Sequence, residues 1–140
     1  MRKLTIAVTV DDKMGIAFNK RRQSSDKNLI DDLCLMTDKK IYLSPYSAPL
    51  FEGYTDRIQI VDEPLKECPD GGVCFVEMEN ISEYYESISE LIVYCWNKVY
   101  PSDKKLSIDL SSNRFVKASA ADFSGRSHDV ISRYIYKKIK

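Results

Sequence analysis

The chain of 140 residues is 44% hydrophobic and 30% charged, the balance of an ordinary globular domain large enough to bury a core without disulfide staples. Its 21 Lys and Arg match its 21 Asp and Glu, so no global field steers it towards nucleic acid or a membrane surface. No apolar run approaches the roughly 20 residues of a membrane helix, and a strand pattern starts within a few residues without a signal-peptide core, so a cytoplasmic setting is expected.

Leu4, Ile6, Val8 and Val10 alternate with Thr5, Ala7 and Thr9, which predicts a central strand whose second face is small enough to sit beneath a helix. Asp11, Asp12 and Gly15 end it. The stretch 14–25 is expected to be a long irregular loop, the kind of segment that tends to carry function. Ser25 is the expected N-cap of a helix with Asp26 in its first turn, Leu29, Ile30, Leu33, Cys34 and Met36 as its apolar stripe, and Lys39-Lys40 at its end. A short strand over 41–43 and a short helix ending at Gly53 follow. Next come an alternating strand over 57–61, a proline- and glycine-bearing surface loop over 63–72, and a strand over 73–76. Asn80, with Glu83 three residues on, predicts a capped helix with Ile81, Tyr84, Tyr85 and Ile88 on one face, the tyrosines serving as packing rather than as a cofactor stack.

Leu91 to Cys95 predicts a buried strand, Trp96-Asn97-Lys98 a tight turn, and Leu106, Ile108 and Leu110 a return strand. Such a unit at mid-chain is where an α/β sheet places its ligand crevice. A short strand over 114–118 and a loop over 122–129 follow. The alternation of Val130, Ser132, Tyr134 and Tyr136 favours a final strand, with a terminal helix as the alternative. The four cysteines, Cys34, Cys68, Cys74 and Cys95, form no CxxC pair and are expected as buried reduced thiols.

This order of elements resembles dihydrofolate reductase over nearly the whole chain. IAVTVDDKMGIAFN is similar to that family's first strand and mobile active-site loop, SDKNLIDDLCLMT to its first helix, and LIVYCWNKVY to its VIGGGxxY segment, with Tyr100 at the tyrosine place. The resemblance implies an α/β fold: a single domain over 1–140, a three-layer sandwich with a central mixed, mostly parallel sheet flanked by helices. It also implies a glycine turn that admits a dinucleotide pyrophosphate, an acid at the start of the first helix, and phosphate contacts after the second strand. At those places stand Cys95-Trp96-Asn97, then Asn28 by helical phase (Asp26 and Asp32 require a slip of register), and Ser44-Pro45-Tyr46-Ser47. Asn cannot relay a proton as a carboxylic acid does, and an indole fills space that glycine leaves open. The chain is also similar, through DDKMG and RRQS, to short bacterial proteins labelled ribonuclease Z. A dizinc hydrolase of that kind needs an HxHxDH cluster, and this chain has one histidine, His128.

A candidate anion or ligand site comprises Arg21, Arg22, Ser24, Ser25 and Asn28, two permanent cations before a helix start, with Trp96 beside the crevice. A solvated loop is the alternative. Asp11-Asp12 and Asp31-Asp32 are expected as solvated charges, and His128 as an ordinary loop residue, since a Cys–His nucleophile would need an exposed cysteine beside it. The expected function is a non-catalytic module on a reductase-like scaffold that binds an unidentified small anionic ligand or a protein partner, with no cofactor and no metal. The alternative is an enzyme of altered chemistry, an oxidoreductase whose nucleotide cofactor binds in a non-standard way.

Overall fold

Strand β1 (Leu4–Val10) occupies the middle of a mixed sheet in the computed structural model, which describes residues 2–111 and 114–139. On one side lie β6 (Val73–Phe75), β4 (Ile41–Leu43) and β5 (Ile58–Ile60), all running parallel. On the other, β7 (Ile88–Cys95) is parallel to β1, and β10 (Ile131–Lys138) pairs antiparallel with both β7 and β9 (Phe115–Phe123). The alternation in β1 divides two cores. Leu4, Ile6, Val8 and Val10 enter one with Leu65, Val76, Leu91, Val93 and Ile108. Ala7 enters the other with Leu29, Leu33, Phe75, Tyr94 and Trp96, so the small face does lie on the helix side.

That helix is α1 (Lys27–Met36), whose buried stripe is Leu29, Ile30, Leu33 and Cys34. Each buried Leu or Ile stabilises by about 1.5–3 kcal/mol, which exceeds what propensity alone gives a ten-residue helix. The N-cap is Asp26, not Ser25: Asp26 is extended and its carboxylate accepts from Asn28 N at 2.9 Å. Thr37 is already extended, so Lys39 and Lys40 lie beyond the helix, and Lys39 Nζ instead donates to Gly71 O at 2.6 Å.

The segment expected as an irregular loop holds β2 (Gly15–Phe18) and β3 (Arg21–Arg22), joined with β8 (Lys104–Lys105) into a second, small sheet. Asn19 and Lys20 both have positive φ, 52° and 61°, the two-residue hairpin geometry that matches strand twist. The loop over 63–72 contains the one-turn α2 (Pro64–Glu67). Residues Ile81–Ser87 form 3-10 turns broken at Tyr84 rather than an α-helix, and Tyr85 packs edge-on against Phe115 at 6.0 Å. Leu106, Ile108 and Leu110 are not a strand. Their alternation belongs to a chain segment laid over the first core, with Ile108 buried and the other two packed beside it. Strand β9 takes in Asp122 and Phe123, which were expected in a loop. Pairing on both edges, to β7 and β9, settles 131–138 as a strand. All four cysteines are free. Among the described residues no helix is long and apolar enough to cross a membrane.

Candidate functional site

The sheet reverses its strand order at β1, with β6 on one side and β7 on the other, and the crevice of an α/β sheet opens at the carboxyl ends around such a point. Trp96 follows β7 directly, and its backbone N–H donates to Val10 O at 3.0 Å, so the ladder continues past the strand and sets where the side chain leaves the backbone. Asn97 then turns the chain at φ 60° and donates to Val130 O at 3.1 Å and Ser132 Oγ at 3.0 Å. These bonds draw the 124–130 loop over the crevice.

His128 arrives on that loop, 8% exposed, and its ring stacks on the indole with centroids 4.5 Å apart and planes 23° from parallel. Its Nδ1 lies 2.8 Å from Asp26 Oδ2, and its Nε2 lies 2.8 Å from Ser24 Oγ and 3.1 Å from Tyr100 OH. Asp26 is 5% exposed and receives backbone N–H groups from Asn28, Arg126 and Ser127, each at 2.9 Å. Burial opposes ionisation of Asp26. The N–H of Arg126, the His128 ring and the N–H groups of Ser127 and Asn28 outweigh it and hold the carboxyl well below its ordinary value of 3.8. An ionised carboxylate only accepts, so Nδ1 is the donor to Asp26, which in the neutral ring leaves Nε2 one lone pair for Ser24 Oγ or Tyr100 OH. Gly125 makes the loop's approach possible: a Cβ there would meet His128 O at 2.5 Å and Asp26 Oδ2 at 2.8 Å.

A second buried carboxylate supports the first. Asp11, 2% exposed, accepts from Lys13 N at 2.9 Å, Gly15 N at 2.8 Å, and Gln23 Nε2 and Tyr100 N at 3.1 Å each. Burial again opposes its charge, and the donors, Tyr100 first, more than offset that and lower its pKa. Asp11 is therefore no solvated charge but the tie that sets Tyr100 beside His128. Nor is Asp32 free in solvent: it accepts from Tyr94 OH at 2.7 Å and pairs with Arg133 at 2.6 Å.

Of the six residues singled out in sequence, Ser24 and Trp96 belong to this network. Asn28 borders it, its amide donating to Ser124 O at 3.0 Å, while Ser25 is exposed. Arg22 is held in two hydrogen bonds by the buried Glu77, at 2.6 and 2.9 Å, and lies 4.3 Å over the Tyr46 ring. Arg21 is exposed on β3. Asp26, Tyr100 and His128 are the members that sequence reasoning did not bring together.

The crevice between Ser24, Leu50, Phe75 and Trp96 retains only about 10 Å³. Beside it, an open groove of about 400 Å³ runs between Lys27, Pro49, Glu52 and Arg126. Four residues, Ser25, Asp26, Ile30 and Leu50, line both. A larger groove, about 670 Å³, lies against the other core at 105–111 and gathers no buried titratable group. Among the described residues no three His, Cys, Asp or Glu side chains are placed to share a metal ion.

The fold is that of dihydrofolate reductase, a mixed sheet with its crevice at the β1 switch point. One solved structure it is similar to is dihydrofolate reductase from Enterococcus faecalis, complexed with NADP(H) and RAB-propyl, at a TM-score of 0.65, covering 99% of this chain and 97% of that one. Identity is 10%, so the likeness is one of fold. No family model and no curated protein matches the sequence.

Proposed function

We propose that this chain is a ligand-binding module on the reductase scaffold, taking a small anion in the groove at the start of α1 and performing no dinucleotide-dependent reduction. The observation that carries this reading is the Trp96–His128 stack, which leaves about 10 Å³ in the strand-end crevice while the adjacent groove keeps about 400 Å³. In the resembled family, the turn after the corresponding strand is glycine so that the backbone approaches a pyrophosphate. Here the indole stands there, and the carboxylate at the helix start is already paired with the chain's own imidazole. A groove of this size accommodates a small organic ligand, and Arg126 offers it a cation, while Lys27 is shared with Asp31 at 3.6 Å and Glu52 O at 2.8 Å. Arg126 makes no ion pair among the described residues, whereas Arg22 is neutralised by Glu77. The anion site expected at Arg21 and Arg22 is therefore proposed instead at Arg126, on the loop that faces the start of α1.

Thermal shift with phosphate, citrate and dicarboxylates tests it. A saturable rise in Tm that is lost in Arg126→Ala is expected, and no shift with any of them overturns the reading. A second reading, an enzyme of altered chemistry, is favoured by one observation, the hydrogen-bonded line from Ser24 through His128 to Asp26.

A further inference from the structure

We propose that Ser24 is a nucleophile, with His128 as its general base and Asp26 as the group that orients the base, and that it takes an acyl group from a small ester. The inference rests on the second reading above and is independent of the anion groove. Nucleophilic catalysis by serine requires three things in line: a hydroxyl on an imidazole nitrogen, a carboxylate on the other nitrogen, and access from outside. Ser24 Oγ is 2.8 Å from Nε2, and Asp26 Oδ2 is 2.8 Å from Nδ1, both within the range such chemistry uses. His128 and Asp26 are buried, so the base is desolvated, while Ser24 is half-buried at the edge of a crevice that adjoins the open groove. Trp96 stacked on the ring and three backbone N–H groups on Asp26 prevent the imidazole from turning away. Tyr100 OH, the other group on Nε2, is the donor the geometry offers to a developing oxyanion.

A buried carboxylate that already accepts three backbone N–H groups has no need of an imidazole aligned on a partly exposed hydroxyl. The step is a conventional acyl transfer. The Ser24 Oγ–carbonyl bond forms as the hydroxyl proton passes to Nε2, and the ester C–O bond breaks as that proton leaves with the alcohol. Water then adds to the acyl carbon, gives its proton to Nε2, and Oγ departs with the proton returned. Ser24 itself lines only the crevice of about 10 Å³, which adjoins the open groove through Ser25, Asp26, Ile30 and Leu50, so the fitting substrate class is a short ester with a small acyl group.

The test treats the full chain with a fluorophosphonate, which forms an Oγ–P bond and expels fluoride, and with p-nitrophenyl acetate, followed by intact-mass and peptide mapping. One adduct per chain on Ser24 is expected, absent in Ser24→Ala. His128→Ala should label about 100-fold more slowly and be partly rescued by imidazole in solution, which a merely structural role would not show. Asp26→Asn should slow labelling by a similar factor with Trp96 emission unchanged. If His128→Ala does not fold, His128→Asn serves in its place. Adducts on Ser25, a lysine or Tyr100 instead of Ser24, labelling that survives loss of His128, or no adduct at millimolar reagent would each overturn the proposal. Labelling without an anion-induced Tm shift sinks the groove reading alone, and the shift without labelling sinks this one alone.

Discussion

Replacing Trp96 with alanine asks whether the indole fills the crevice or only covers it. The side chain is 3% exposed. A tryptophan buries about 150–250 Å², which at about 25 cal/mol per Å² amounts to roughly 4–6 kcal/mol. Its stack on His128 adds about 0.5–1.5 kcal/mol, and core Trp→Ala changes usually cost about 3–5 kcal/mol because neighbours relax in part. The expected loss is therefore about 4 kcal/mol, a large share of the roughly 5–15 kcal/mol that holds a domain together. Urea denaturation followed by far-UV circular dichroism reads it, with Trp96→Phe as a milder partner that keeps a ring against His128. The Phe variant should lose about half as much. A loss under about 1 kcal/mol for Trp96→Ala, with an unchanged urea slope, would show that the indole does not fill the crevice and would refute the reasoning.

Arg22→Ala should destabilise by about 3–5 kcal/mol because it leaves the buried Glu77 carboxylate without its cation, whereas Arg21→Ala should stay within about 0.5 kcal/mol; equal effects in urea denaturation would contradict the assignment. The Asp26 carboxyl has a lowered pKa in the folded chain, so its stabilisation is fully present above its ordinary value of 3.8 and is lost as pH falls below it. Parent protein should therefore lose stability from about pH 5 downwards more steeply than Asp26→Asn, and parallel curves would count against the buried pair.

The sheet was legible where period-two alternation met a genuine asymmetry of faces. In β1 the large residues and the small ones enter different cores, and the sequence shows both. The same alternation at Leu106, Ile108 and Leu110 misleads, because alternation records which side of a segment faces the core and not whether its backbone has a hydrogen-bonding neighbour. The β2–β3 hairpin escaped notice because its turn is Asn19-Lys20, without the glycine that usually marks such geometry. The site was half legible. Ser24 and Trp96 stand out by type and place, but His128 and Asp26 are 102 residues apart and no periodicity links them. Gly125 is the only local trace of their approach, and a loop glycine has many causes. The helix start was misread by one residue because Ser25 and Asp26 are both good caps, and the tertiary N–H donors from Arg126 and Ser127 decided between them.

The most direct test of the filled crevice is an NADPH titration followed by fluorescence, since Trp96 is the only tryptophan and reports that spot alone. With the indole stacked on His128, NADPH should produce no saturable quenching or energy transfer beyond the inner-filter effect up to millimolar concentration. Saturation in the micromolar range, abolished by Asn97→Phe, would show that the crevice opens to a dinucleotide and would contradict the account.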